Sequence, residues 1–272
     1  MKKLKYFVLL LLLLISTAIF GAWTPVSQVS DEDIRYADAQ LVSTLASTEI
    51  YYTKKIVAEE RDTDGGAPIY FNTQGFTNAC GPLAGTAIVA YYDRYYPNLI
   101  PGWESYDTAT GKYRSQDSSY VTETLTKMYT LMQTNLNGEG VSESEFKTGL
   151  QTYITNQGYS ARYTNMIIGG TLNYSACKTA LDSNKVIALL IKSGVVYRLR
   201  EYSDYDMLFE STISGNHIMY AYGYIRIMYY NSTGLYKMKT FLKVSTGLSS
   251  LPMAYFDVNS SNLVGAYSVS VS

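Results

Sequence analysis

The order in which secondary-structure patterns follow one another constrains the fold of this chain most strongly. Helical patterns dominate residues 80–184, and the extended patterns after residue 184 are β in character: "KVIALLIKSG", "NHIMYAYGYIRIMYYN", "LYKMKTFLKVS", "MAYFDVN" and "YSVSVS". Strands that follow one another without intervening helices are typical of antiparallel pairing. The sequence therefore predicts an α+β fold, in which an N-terminal helical half packs on a C-terminal antiparallel sheet.

Four helices are predicted in the first half. The first is "CGPLAGTAIVAYYDRYY", in which Pro82 is tolerated in the first turn, and the second is "SSYVTETLTKMYTLMQTNL". In the third, "SESEFKTGLQTYITNQGY", Ser142 and Glu145 form a predicted capping box and Gly158 ends the helix. The fourth is "YSACKTALDSN". The first of these helices begins with a cysteine.

The chain starts with "MKKLKYFVLLLLLLISTAIFGA", a basic segment followed by an apolar run over residues 7–15 and then by small residues. This pattern is typical of a secretory signal peptide, because such a run is shorter than the roughly 20 residues that span a membrane. We expect residues 1–22 to be removed after Ala22, and the protein to be secreted or held at the cell surface. The alternative is an uncleaved N-terminal anchor, so that the membrane is a partner only during export or through an uncleaved signal.

Residues 23–66 separate this signal from the rest of the chain. "SDEDIRYADAQLVSTLAS" begins with a capping pattern and predicts a helix, and "EIYYTKKIVAEE" predicts a strand. The apolar face of that helix would carry Ile34, Ala37, Leu41 and Leu45. The polar turn "RDTDGGAP" marks a boundary. Residues 23–66 are interpreted as an accessory segment or short propeptide, or as the leading edge of the main domain, which spans 67–272.

Charge and composition argue against several classes of partner. Without residues 1–22 the chain has 19 Lys and Arg against 23 Asp and Glu, a net charge of −4. An acidic chain is poorly suited to nucleic acid or to an anionic membrane surface as its main partner. One histidine and two cysteines are too few for a His/Cys metal site. We therefore predict no nucleic-acid partner, no metal and no cofactor.

Cys80 is the strongest candidate for chemistry, because it stands where the first helix begins and directly before Gly81-Pro82. The N–H groups and dipole at a helix N-terminus lower a thiol pKa, and small neighbours let a substrate backbone approach. Attack on a carbonyl also needs donors for the developing oxyanion. The Cys80 N–H and the side-chain amide of Gln74 are the candidates. The structural alternative is a disulfide between Cys80 and Cys177.

These residues resemble a known family. Gln74-Gly75 followed by Cys80 matches the Gln-Gly-x-x-x-x-Cys spacing of papain-like cysteine peptidases. "NACGPLAGTAIVAYYD" is more similar to a bacterial branch related to the peptidases that cleave double-glycine leader peptides, which favours Cys-Gly-Pro. Leu83 stands after this Cys-Gly-Pro where papain has Trp in its own cysteine context. The resemblance implies a papain-like fold over about residues 67–265, with the helical half carrying Cys80.

The same resemblance implies that His217 is the general base. This only histidine of the chain lies in "GNHIMYAYGY", which is similar to the papain-like Asn-His-x-x-x-x-x-Gly-Tyr strand, with Gly223 and Tyr224 in the matching places. It follows Cys80 by 137 residues, within the roughly 130–150 of papain-like enzymes. A lone histidine on an apolar strand is otherwise a buried structural residue. The sheet half is thus expected to carry His217.

The third member of the site departs from the family pattern. Papain-like enzymes use Asn, and the leader-peptidase branch Asp, to orient the imidazole. A hairpin turning at "NSTG" places His217 opposite "VSTGLSS", where Ser245 falls at the expected position. Asp257 and Asn259 in "FDVNSS" are the alternatives. Ser245 is therefore predicted as the orienter, a weaker one than Asn or Asp.

The sequence predicts an exported cysteine peptidase that hydrolyses peptide bonds through Cys80, His217 and an acyl-enzyme, with Gln74 at the oxyanion. Its partner would be a peptide or protein substrate. Two alternatives stay open. One is a non-catalytic papain-like binding module, which the missing Asn or Asp favours. The other is a cell-wall amidase or acyl transferase that uses the same cysteine and histidine.

Overall fold

A computed structural model describes residues 34–42, 50–52, 54–73, 75–136, 138–201, 206–231, 234–259 and 262–272. These residues belong to one compact unit. The predicted signal peptide, residues 1–22, lies outside them, and so does Gln74.

Four helices occur within the described residues, at the four places where the sequence predicts them. They are α1 (Cys80–Asp93), α2 (Ser119–Leu131), α3 (Glu143–Asn156) and α4 (Tyr174–Asp182). The predicted capping box is present at the start of α3, where Ser142 and Glu145 exchange hydrogen bonds, and Gly158 follows the helix with a φ of 87°. The predicted starts and ends depend on local chemistry, which is why the sequence reveals them.

The strands form one large antiparallel sheet and two small hairpins. In chain order they are β1 (Gln40–Val42), β2 (Ile50–Tyr52), β3 (Lys54–Asp62), β4 (Tyr106–Asp107), β5 (Lys112–Tyr113), β6 (Ala161–Asn165), β7 (Ile167–Ile168), β8 (Thr171–Leu172), β9 (Ile187–Ile191), β10 (Gly194–Glu201), β11 (Asp206–Ser214), β12 (His217–Asn231), β13 (Gly234–Ser245), β14 (Met253–Asp257) and β15 (Leu263–Val271). The large sheet has the order β1-β11-β10-β14-β13-β12-β9-β15-β6, with β2 paired to β11 and β3 to β12. The α+β prediction is confirmed at this level: helices precede a large antiparallel sheet.

Strand β12 organises the sheet because it pairs with three others. Its first five residues pair with β9, its later residues pair with β3, and β13 runs along its other side. Helix α1 packs on β12 and is buried from its first residue to its last. A helix that is apolar on all sides is stable only in such a position. The start of α1 and the start of β12 thus meet inside the molecule.

The helix predicted for "SDEDIRYADAQLVSTLAS" is wrong over its described part. Residues 34–39 form no helix, and residues 40–42 are strand β1. The Tyr36 N–H donates to the Val141 carbonyl at 2.8 Å, and the Ala37 N–H donates to the Asn216 carbonyl at 3.1 Å. These donors would serve i→i−4 bonds in a helix, so tertiary partners have overridden the local pattern.

The predicted strand in "EIYYTKKIVAEE" is present as β2 and β3. The pairing of β3 shows how this part of the segment 23–66 is related to the large sheet. Strand β3 pairs antiparallel with β12 over eight residue pairs. The turn after it contains Gly65 and Gly66, both with positive φ, as the "RDTDGGAP" pattern predicts. Residues 54–62 are therefore part of the sheet that carries His217.

Changing Ser142 to alanine is expected to lower the free energy of unfolding by about 1 kcal/mol, because its hydroxyl accepts from the Glu145 N–H at 3.2 Å and caps α3. Urea denaturation measures the change. The exposed Thr148, in the same helix, serves as the control. If Thr148→Ala costs as much as Ser142→Ala, the cap does not contribute.

Candidate active site

The start of α1 presents Cys80 without a side-chain cap. Ala79 occupies the N-cap position, and its carbonyl accepts from the Leu83 N–H at 2.8 Å. A Cβ on Gly81 would lie 2.5 Å from a Val141 methyl carbon, so only glycine fits beside the cysteine. The backbone N–H groups of Cys80 and Gly81 act to lower the pKa of the thiol. Cys-Gly-Pro therefore allows close packing and directs the N–H groups of Cys80 and Gly81 at the thiol.

His217 is the first residue of β12 and pairs with Ile191 of β9. Both candidate residues are buried, Cys80 being 3% exposed and His217 1%. The backbone N–H of Ile218, the residue after His217, hydrogen-bonds the Cys80 sulfur and acts to lower its pKa. The Cys80 sulfur thus lies against the backbone of the residue that follows His217, between α1 and the sheet.

The imidazole of His217 is oriented by a backbone group. Its Nε2 lies 2.7 Å from the Thr246 carbonyl oxygen. Because a carbonyl can only accept, Nε2 carries the proton, and Nδ1 of the neutral ring is the basic nitrogen. Nδ1 is buried and has no hydrogen-bond partner among the described residues. An unpartnered buried nitrogen of this kind is available to take a proton.

Thr246 is held in place by the turn that follows β13. Its N–H donates to the Pro252 carbonyl at 3.0 Å, its hydroxyl donates to the Leu251 carbonyl, and that hydroxyl accepts from the Leu248 N–H at 3.1 Å. The side chain is fully buried. The turn therefore fixes the direction of the Thr246 carbonyl toward His217.

The three residues that the sequence offered as orienters occupy other positions. Ser245 pairs with Tyr220 in the sheet, and its hydroxyl hydrogen-bonds that tyrosine. Asp257 lies 3.6 Å from the Lys239 ammonium and accepts from the Asn259 N–H at 3.0 Å. The group that contacts the ring is the backbone carbonyl one residue after Ser245. No side-chain pattern could have identified a carbonyl, although the hairpin count indicated its segment.

A segment that we term the strap, residues 34–39, covers the site. Asp38 accepts from the Ala79 N–H through Oδ1 at 2.9 Å. The Ala37 carbonyl lies near the His217 ring and acts to raise the pKa of the imidazole. Only a cavity of about 10 Å³ remains between Cys80, Ile218 and Gly247. That space holds at most one water, so the cleft is filled.

Burial of the site changes the pKa of Cys80 in the direction opposite to the one expected from the sequence. The helix N-terminus was expected to lower the pKa of Cys80, but burial, with a smaller contribution from the Asp38 carboxylate, raises it to about 12. Burial also lowers the pKa of His217, more than its hydrogen bonds and Asp38 raise it. At neutral pH the Cys80 thiol and the His217 imidazole are therefore both uncharged.

Cys177 lies in α4 and is fully buried, as the amphipathic pattern predicts. Both cysteines are free, so the alternative of a Cys80–Cys177 disulfide is wrong in this structure. Burial raises the pKa of Cys177 to about 12 as well. Its helix buries three residues, whereas α1 is buried throughout.

Nowhere in the described part of the chain do three or more His, Cys, Asp or Glu side chains form a group that could hold a metal ion. None of the helices within the same residues combines the length and the apolar character that crossing a membrane requires.

We expect the imidazole of His217 to titrate below its ordinary pKa of about 6.5. Because the unfolded chain then binds the proton first, the contribution of His217 to stability is present above about pH 6.5 and is lost as the pH falls through the folded pKa. The measurement is NMR titration of the single histidine in Cys80→Ala protein, with the denatured chain as the reference. A midpoint at or above the denatured value would contradict the buried, neutral ring.

Comparison of the chain with protein-family models, with curated proteins and with solved structures finds no significant match. What the site can do is therefore inferred from its own residues.

Proposed function

We propose that this protein is an exported cysteine peptidase of the papain-like type, with Cys80 as nucleophile and His217 as general base and acid. The observation that carries the proposal is that a helix start without a side-chain cap presents Cys80 against the backbone of Ile218, directly after His217, whose Nε2 is held by the Thr246 carbonyl in the tautomer that a base requires. The resemblance around Gln74, Cys80 and His217 supports the same chemistry. The predicted signal peptide supports export.

In this mechanism Nδ1 of His217 takes the Cys80 proton as the sulfur attacks a peptide carbonyl carbon. The oxyanion that forms would accept hydrogen bonds from the free N–H groups at the start of α1 and from the Gln74 amide, which lies outside the described residues. The imidazolium then protonates the leaving amine. Water hydrolyses the resulting thioester, with His217 as its base, and restores the thiol.

The Thr246 carbonyl supports both proton transfers. It accepts from Nε2 throughout, so the ring cannot turn or change tautomer while Nδ1 gains and loses a proton. A neutral carbonyl stabilises the imidazolium less than the carboxylate of a triad does. The peptidase is therefore expected to be slower than a triad enzyme, and its substrate is a peptide or protein chain outside the cell.

The test is covalent labelling with a peptide that carries a thiol-directed electrophile, followed by mapping of the adduct. Prolonged incubation is needed because Cys80 reacts only when the strap opens transiently. The adduct is expected on Cys80 and is expected to disappear in His217→Gln protein. Cys177 is the internal control. Equal labelling of the two thiols, or labelling that survives loss of His217, would contradict a peptidase site.

A further inference from the structure

The loop of residues 75–79 joins the two predicted oxyanion donors, because Gln74 precedes it and Cys80 follows it. An oxyanion hole is effective only if its donors converge on one point before the reaction begins. The conformation of this loop therefore decides whether the Cys80 N–H and the Gln74 amide can serve the same oxygen atom.

A group of hydrogen bonds among Thr77, Asn78, Tyr129 and Asn135, which we term the clamp, holds this loop against α2 and the turn that follows it. The Thr77 carbonyl accepts from the Tyr129 hydroxyl at 2.8 Å and from Nδ2 of Asn135 at 3.0 Å. The same Nδ2 lies 2.6 Å from the Thr77 hydroxyl oxygen and 2.5 Å from the Tyr129 hydroxyl oxygen. Oδ1 of Asn135 accepts from Nδ2 of Asn78 at 2.5 Å. Both polar atoms of the Asn135 side chain therefore contact the clamp.

Asn135 is suited to this position by its amide group. Its own backbone is fixed, because its N–H donates to the Glu139 carbonyl at 2.9 Å. The Thr77 carbonyl can only accept, so the group that faces it must be the NH2 of the amide. A carboxylate at residue 135 would have the same shape but would set one acceptor against another. The amide of Asn135 thus determines the direction in which the Thr77 carbonyl points.

The direction of the Thr77 carbonyl in turn sets the backbone conformation of Asn78. Asn78 has a φ of 54°, in the left-handed region that residues other than glycine seldom adopt and that asparagine tolerates better than most. If the peptide plane between Thr77 and Asn78 rotated by half a turn, this φ would return to a negative value. Asn78 lies two residues before Cys80, so such a rotation would redirect the Cys80 N–H.

Two other contacts hold the loop, and neither does the work of the clamp. At its start, the Asn72 side chain donates to the Phe76 carbonyl. At its end, the Ala79 N–H donates to Asp38 of the strap at 2.9 Å. A substrate can enter only when the strap leaves, because the remaining cavity is about 10 Å³, and the bond of Asp38 is then lost. The clamp therefore holds the loop between Phe76 and Cys80 during the reaction.

We propose that Asn135 is a positioning residue for the oxyanion hole: its amide holds the Thr77 carbonyl and so keeps residues 75–79 in the conformation that directs the Cys80 N–H at the substrate oxygen. This inference rests on the proposed function. Asn135 acts through the loop and takes no part in proton transfer. Its loss should therefore slow reactions that pass through an oxyanion and leave the nucleophilicity of the thiol unchanged.

The test compares two small reagents that must reach the same covered thiol. p-Nitrophenyl acetate transfers its acetyl group to Cys80 through an oxyanion and releases p-nitrophenolate, whereas iodoacetamide alkylates the sulfur at a saturated carbon and forms no oxyanion. Asn135→Asp should lower the ratio of the acylation rate to the alkylation rate about tenfold or more. Both rates are corrected with Cys80→Ala protein.

Gln133→Glu is the matched control for the added charge. Gln133 is exposed, lies in the same turn and has a φ of 52°. Its substitution should change the ratio by less than about twofold, because solvent screens an exposed charge. An equal fall in the ratio for the two variants would trace the effect to charge and overturn the role of the Asn135 amide.

Tyr129→Phe tests the clamp without a change in charge. It removes the other donor to the Thr77 carbonyl and keeps the ring that packs on Phe76 at 5.2 Å between centroids. We expect a smaller fall in the same ratio, with the alkylation rate unchanged. A ratio that is unchanged in both Tyr129→Phe and Asn135→Asp proteins, or acylation and alkylation that slow equally, would overturn the positioning role and leave the peptidase in place. Unmodified protein in which Cys80 is neither acylated by the ester nor labelled by the peptide electrophile would overturn both.

Discussion

Glutamine in place of His217 is expected to slow peptide hydrolysis by about 10²- to 10⁴-fold, because the thiol loses the group that removes its proton and later protonates the leaving amine. Glutamine keeps a polar group of similar size that can donate to the Thr246 carbonyl, so the turn after β13 should be undisturbed. The comparison is made in the Gly140→Ala background, because a Cβ at residue 140 would lie 1.6 Å from the Tyr36 carbonyl oxygen and should displace the strap from the cleft. The measured quantity is kcat/KM for hydrolysis of a peptide that the Gly140→Ala protein cleaves.

Ser245→Ala is the matched control for this change. The Ser245 hydroxyl hydrogen-bonds Tyr220 and not the imidazole, so its loss should alter kcat/KM less than threefold or so, within the range of a single neutral hydrogen bond. If Ser245→Ala is as damaging as His217→Gln, the orienter is the serine after all. If His217→Gln leaves turnover intact, the histidine is structural.

Alanine in place of Asp93 is expected to cost about 2–5 kcal/mol of unfolding free energy. Asp93 ends α1, is 6% exposed, and accepts from the Ile100 N–H at 2.8 Å and from the Ser105 N–H at 2.9 Å. Removal of the carboxylate leaves both buried donors without their partner, and each unsatisfied donor costs about 1–3 kcal/mol. The C-terminal end of α1, the helix that begins with Cys80, would lose its hydrogen bonds to the loop that follows it.

Urea denaturation at pH 7 measures this loss, with Asp107→Ala as the control. Asp107 makes a comparable bond at the surface, accepting from the Ala109 N–H at 2.9 Å, but water can replace it there. Its removal should cost well under 1 kcal/mol. A loss of similar size at both positions would mean that burial of Asp93 is not what makes its hydrogen bonds important.

The features that depend on residues close together in the sequence were predictable from it. The four helices, the capping box of Ser142 and Glu145, and the order of helices before an antiparallel sheet all follow from local periodicity and turn chemistry. Cys80 and His217 were selected on the resemblance of their surrounding residues to papain-like peptidases, and in the structure the Cys80 sulfur lies against Ile218, the residue after His217.

The strap was not predictable in this way. Ile34, Ala37 and Leu41 repeat at helical spacing, but the donors of Tyr36 and Ala37 find partners more than a hundred residues away. A local pattern contains no information about such partners. The pKa of Cys80 follows the same logic: a helix start lowers it in an open site, and the burial that raises it comes from a distant segment.

The use of a backbone carbonyl to orient the His217 ring limits which mutations can remove that contact. Every amino acid supplies a backbone carbonyl, so no single codon specifies the group that positions His217. Substitutions at residue 246 can alter how firmly the turn is held, through the lost bonds of the hydroxyl to Leu248 and Leu251, but they cannot delete the acceptor. A search that requires Asn or Asp as the third member of a catalytic triad will miss such proteins. Selection at this position acts on the shape of a turn, and related sequences can diverge there while the histidine keeps its tautomer.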